Sequence, residues 1–276
     1  MKILFPFAKR FIAGVGTQDS SLVFQKHLDQ DYVVVANLVG ENILSRDLIS
    51  EIYDQYKILL QKFDSPNFSI SIKATSLGLD LSFQEAQKNL MNLSKYSQSN
   101  YPQIRLDMED SSYTDQTINL CKSIQNDNPG SIGITLQANL FRTENDLKDL
   151  INSGISIRLV KGAYFENEEV AFTKLKDVRE RFIDYSKLLL NDNKTKHSIA
   201  THDENILKKV KSFNGIKAHR FEFLYGVRRD LQESFKQENE VGIYMPFGKD
   251  WLSYTVRRLK EFKNIKFVAK NFIRER

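Results

Sequence analysis

Eight short apolar runs recur along the chain, each followed by a stretch with helical character, and this alternation restricts the fold more than any other feature. The runs are Tyr32–Ala36, Phe68–Lys73, Gln103–Asp107, Ile132–Gln137, Ile155–Val160, His197–Thr201, His219–Phe223 and Val241–Met245. Helical patterns cover about 18–29 ahead of the first run, then about 46–62, 83–98, 114–126, Thr143–Asn152 and 168–190, with a helix after each later run. Regular β–α alternation argues for parallel strands. Eight such units in a chain of 276 residues suit a closed (β/α)8 barrel better than an open doubly wound sheet. A dinucleotide-binding sheet would carry a Gly-rich turn after its first strand, and here that turn reads Asn37-Leu38-Val39-Gly40-Glu41. With no P-loop, no repeat beyond the βα unit and no interdomain linker, the chain reads as a single α/β domain, 1–276.

Composition narrows the class. A hydrophobic content of 41% supports a large core, and the lone Cys121 excludes an internal disulfide, pointing to a reducing, cytoplasmic setting. The apolar start Met1–Phe7 is followed by Lys9 and Arg10 and is too short for a signal peptide or a membrane span. The formal charge of +5 is concentrated at the end, where 262–276 holds Lys263, Lys266, Lys270, Arg274 and Arg276 against Glu275 alone. Interleaved apolar residues make this tail amphipathic, so it suits either packing on its own domain or peripheral contact with an acidic membrane surface. No nucleic-acid motif is present.

In a barrel of this kind the active site lies at the C-terminal ends of the strands. Reading those ends gives Lys73, Asp107, Glu109, Gln137, Arg158, Lys161, Thr201, His202, Glu222 and Tyr244. Lys and Arg at the mouth of a barrel, with few nearby acids, imply an anionic ligand. In Ile157-Arg158-Leu159-Val160-Lys161-Gly162-Ala163-Tyr164, Lys161 suits either a Schiff-base amine, as in barrel aldolases and lyases, or a fixed positive charge. Gly162 allows close approach of backbone to a ligand. Asp107 and Glu109 suggest acid–base work, but no HxH or HxxxH pair supports a metal site. His202 also reads as a neighbour of the helix-capping Asp203. The Gln137 amide donates and accepts at once, which suits a heteroaromatic edge. Trp251 reads as a packing residue.

The stretch Asp250–Glu261 adds a receptor. Asp250 suits a helix cap, and Tyr254, Arg257, Arg258 and Glu261 then share one face at i, i+3, i+4 and i+7. Two guanidiniums beside an aromatic ring match a small carboxylate with an apolar body, although a solvated helix face has the same pattern. A non-catalytic binder of small anions fits these features too.

Ile157–Tyr164, Leu106-Asp107-Met108-Glu109, Ile199-Ala200-Thr201-His202-Asp203 and Trp251…Tyr254…Arg257-Arg258…Glu261 together resemble the proline dehydrogenase family. The resemblance runs from Arg10-Phe11-Ile12-Ala13-Gly14 to the last barrel helix, which it implies lies over the barrel mouth. It further implies FAD-dependent oxidation of L-proline to Δ1-pyrroline-5-carboxylate, with a quinone taking the electrons. Lys73, Arg257 and Arg258 then match the substrate-carboxylate clamp, and Tyr254 and Tyr244 the walls of the proline pocket. Asp107 and Arg158 match active-site residues, and Tyr164 a residue supporting the site beside Asp107. Met108, Gln137, Lys161, Gly162, Ala163, Thr201 and His202 match FAD contacts. Two departures stand out. Arg220-Phe221-Glu222-Phe223-Leu224 replaces a common Glu-Phe-Gln-Met-Leu, leaving Glu222 without an inherited role, and Glu261-Phe262 replaces a Glu followed by Arg or Asn.

Overall fold

The computed structural model describes residues 10–97, 103–252 and 254. Eight parallel strands close into a barrel in chain order: β1 (Val33–Leu38), β2 (Phe68–Lys73), β3 (Ile104–Asp107), β4 (Ile132–Gln137), β5 (Ser156–Val160), β6 (Ser198–Ala200), β7 (Arg220–Leu224) and β8 (Glu240–Phe247). Closure comes from β8, whose Gly242–Phe247 lie in register with Val33–Leu38 of β1. Helix α1 (Thr17–Leu28) precedes β1. Seven more lie between the strands: α2 (Arg46–Lys62), α3 (Phe83–Ser94), α4 (Thr114–Asp127), α5 (Thr143–Asn152), α6 (Leu175–Leu190), α7 (Glu204–Lys211) and α8 (Arg229–Lys236). After β8, Trp251, Leu252 and Tyr254 are helical. The rest of that segment, with Arg257, Arg258, Glu261, the basic tail and the expected cover over the mouth, lies outside the described residues. No described helix is long and apolar enough to cross a membrane.

The period-2 alternation of the strands decides where the core sits. Outward positions are apolar, such as Val34, Ala36, Phe68, Ile70, Ile72, Ile134, Ile157, Leu159, Phe221 and Ile243, and all are fully buried beneath the helices. Burial of each larger side chain contributes on the order of 1.5–3 kcal/mol. Inward positions are largely polar: Ser71, Arg105, Asp107, Thr135, Arg158, Arg220 and Glu222 meet across the lumen. Two inward glycines make the room these side chains need. A Cβ on Gly133 would stand 3.0 Å from the Arg105 guanidinium, and one on Gly242 would stand 2.9 Å from Glu222 Cγ. The helices are tied to this frame by local chemistry. Ser45, Ser82 and Asp203 cap α2, α3 and α7 by accepting backbone N–H groups. From α2, the Tyr56 hydroxyl donates to Ser71 O at 3.1 Å and accepts from Leu38 N at 3.0 Å.

The helix expected over 168–190 starts only at Leu175. Phe172 N donates to Asn139 O, Phe141 N donates to Val170 O, and Leu140 bridges Ala171 in antiparallel fashion. The intervening residues are therefore tied to the loop after β4 and cannot satisfy a helical ladder.

Candidate active site

Asp107 and Arg158 meet inside the open end of the barrel as a buried ion pair. Asp107 Oδ1 also accepts from Ser71 Oγ (2.9 Å), and its Oδ2 accepts from Tyr244 Oη (2.7 Å). Arg158 is only 3% exposed. It donates to Ser71 Oγ (2.8 Å), Thr135 Oγ1 (3.1 Å) and Glu222 Oε2 (3.2 Å), and its cation lies 5.1 Å from the centre of the Tyr244 ring. Burial alone would lower the Arg158 pKa, but Asp107 and Glu222 hold it above the usual value. The Tyr244 phenol is pushed well up, first by burial and then by Asp107.

Below this network the charges alternate down the lumen. Glu222 joins Arg158 to Arg220 (4.0 Å), Arg220 donates to Glu240 (2.5 Å), and Glu240 pairs with Lys196 at the far end. Burial would raise the Glu222 pKa, yet Arg158, Arg105 and Arg220 bring it below the usual range. Glu222, the residue left without a role by its motif, is thus the central link of an ion column.

Lys73 ends β2 in register with Asp107. Its ammonium pairs with Glu41 and lies 6.0 Å from the Tyr164 ring centre, and Tyr164 Oη donates to Glu41 (3.2 Å). Tyr164 therefore supports the Glu41–Lys73 pair. Glu41 escaped sequence reading; its signal was its place directly after Gly40 in the first strand-to-helix turn. Its loop is fixed through Asn42, whose N–H donates to Thr75 Oγ1 (2.9 Å), while that hydroxyl donates to Glu109 (2.7 Å). Glu109 thus serves a loop, and its pKa is raised by burial against the pull of Thr75 and Lys73.

Lys161 Nζ lies 3.3 Å from Asp203 Oδ2, which also accepts from Arg179 Nε (2.7 Å). An ion-paired, part-exposed ammonium is the opposite of the desolvated amine that Schiff-base chemistry asks for. The idea of mouth cations with few acids nearby is corrected: Lys73, Arg158 and Lys161 each have a carboxylate partner, supplied by another strand or loop. Gly162 adopts φ +114°, and a Cβ there would meet the Asn139 amide at 2.1 Å, so its smallness serves that contact. Gln137 spends its amide on the chain itself, donating to Glu109 O (3.0 Å) and accepting from Ala163 N (3.4 Å). His202 Nε2 accepts from Leu224 N (3.0 Å), Thr201 Oγ1 accepts from Asp203 N (3.2 Å), and Met108 is buried. Trp251 packs with Ile12, Val39 and Tyr254. Among the described residues no three His, Cys, Asp or Glu side chains gather as a metal site.

Fold and site together define a (β/α)8-barrel enzyme with a buried guanidinium–carboxylate–phenol network at its open end. The profile of the family described as proline dehydrogenase matches residues 23–270, and the chain belongs to that family of oxidoreductases. Proline dehydrogenase 1 of Bacillus subtilis subsp. natto is 32% identical over 279 residues, covering 97% of this chain and 91% of the relative. Proline dehydrogenase of Deinococcus radiodurans is 31% identical over 291 residues, covering 98% and 91%. In fold, the chain is similar to proline utilization A (PutA) from Bdellovibrio bacteriovorus, with a TM-score of 0.82 at 21% identity over 94% of this chain. The chain spans 33% of that longer protein.

Proposed function

We propose that the chain oxidises L-proline to Δ1-pyrroline-5-carboxylate, with FAD bound at the mouth and a quinone as final electron acceptor. The observation that carries this reading is the Asp107–Arg158–Tyr244 network at the catalytic end of a proline dehydrogenase-family barrel. The donor set fits the cofactor. Lys161 and Arg179 share the single carboxylate of Asp203, which leaves net positive charge suited to a diphosphate. The part-exposed Gly162 and the exposed Ala163 offer backbone at the same rim, beside Gln137, Thr201, His202 and Met108. FAD, when bound, supplies the acceptor for the hydride that leaves the carbon next to proline's nitrogen.

The chain's own residues bind and orient. Lys73, with Arg257 and Arg258, holds the substrate carboxylate, and Tyr244 and Tyr254 wall the ring. Asp107 fixes both the Tyr244 hydroxyl and the Arg158 guanidinium, so neither has to reorganise during reaction. Arg158 sets a fixed positive charge where negative charge develops. Proline must give up its amine proton, so turnover rises with pH. The tail 262–276 is the segment we assign to contact with an anionic membrane surface.

An absorbance spectrum of the purified protein tests the reading. Bound flavin bands that bleach on anaerobic addition of L-proline support it; a colourless protein that takes up no FAD overturns it. Borohydride trapping of a substrate adduct on Lys161 would instead establish Schiff-base chemistry.

A further inference from the structure

Residues 10–16 cross the open end of the barrel on the β7–β8 side before α1 begins. Arg10 Nε donates to Gly226 O (3.1 Å), Ala13 N to Pro246 O (2.7 Å), and Gly248 N to Gly14 O (3.0 Å). Gly226, at φ +71°, permits this crossing, because a Cβ there would lie 1.7 Å from Arg10 O. The other end of the strap is fastened by Asp19, whose carboxylate accepts from Val15 N and Gly16 N at 2.8 Å each. Between these anchors Ile12, 3% exposed, packs with Val39, Trp251 and Tyr254 in a small cluster separate from the main core. Gly248, at φ +125°, joins β8 to the segment carrying Trp251 and Tyr254. A glycine joint tied by one backbone hydrogen bond fixes the direction of that segment only loosely, so side-chain packing completes the job. That packing holds Tyr254, one of the two rings proposed to wall the substrate.

We propose that this strap is a positioning element of the active site: Ile12, acting through Trp251, sets where Tyr254 stands relative to Tyr244. The inference rests on the proposed proline-oxidising site, and it adds a residue that touches neither substrate nor cofactor.

Trp251 is the chain's single tryptophan, so its fluorescence reports on this cluster alone. The test compares the full-length holoenzyme with Ile12→Ala, the milder Ile12→Val, and Leu147→Ala, a truncation in the main core on α5. Ile12→Ala is expected to increase acrylamide quenching of Trp251. It should raise KM for L-proline about tenfold, equivalent to about 1.4 kcal/mol of lost substrate binding, with kcat within about twofold of wild type. Ile12→Val should restore both readouts, and Leu147→Ala should lower Tm without moving KM. An unchanged KM in Ile12→Ala, or an equal rise in Leu147→Ala, would overturn the proposal. Unaltered quenching in Ile12→Ala would overturn it as well. Absence of proline turnover in the wild type defeats the functional reading instead, and the quenching then decides whether Ile12 seats Trp251.

Discussion

Removing Asp107 would strip Arg158 of one of its two carboxylates while leaving the guanidinium 3% exposed. Breaking a buried pair from one side costs about 3–5 kcal/mol, so Asp107→Ala should lose stability on that scale in urea unfolding. Gly242→Ala places a methyl 2.9 Å from Glu222 Cγ and 3.0 Å from Arg220 Cδ. Overpacking of that kind costs about 1–3 kcal/mol, read the same way. Asp107, Arg158 and Tyr244 were legible in the sequence because each sits at or near the end of an apolar run, a local signal. Which of the charged groups would pair was not. Lys73 finds Glu41 across 32 positions and Arg158 finds Glu222 across 64, and no periodicity encodes a meeting across the lumen.

At the scale of elements, the starts of β6 and β7 carry a proton-sensitive joint. His197 Nδ1 accepts from Ile157 N (3.1 Å), and its Nε2 faces Asp192 (3.0 Å). His219 Nδ1 accepts from His197 N (3.0 Å), and the two rings stack at 5.5 Å. Accepting at Nδ1 requires neutral imidazoles. Burial pushes His197 from the usual 6.5 to about 4 despite the opposing pull of Asp192, and His219 is lowered chiefly by burial too. The unfolded chain takes up protons below pH 6.5 while the folded His197 does not until about 4, so stability is lost as pH falls through that window. Between about pH 7 and 5 the loss from His197 should be roughly 2 kcal/mol, seen as a urea-midpoint shift that His197→Gln largely abolishes. Strand and helix order was readable because the 2.0 and 3.6 periods are local. The start of α6 was not, because long-range hydrogen bonds to the β4 loop took residues that a helical pattern would claim.

For the whole molecule, the alternation of eight βα units specified the barrel, since only closure removes both sheet edges. The clamp expected at Arg257 and Arg258 is tested in the intact enzyme. Changing both to Met should raise KM for L-proline steeply while flavin stays bound, and an unchanged KM would remove them from substrate binding. The ion column from Asp107 through Arg158, Glu222, Arg220 and Glu240 to Lys196 carries a further consequence. Neighbours in that row cannot drift singly, because reversing one sign in the middle would set like charges side by side in a space sealed from water. Divergence there has to proceed by coupled exchange. In this chain Arg220 stands between Glu222 and Glu240, so a change of sign at Arg220 would call for one at each of them.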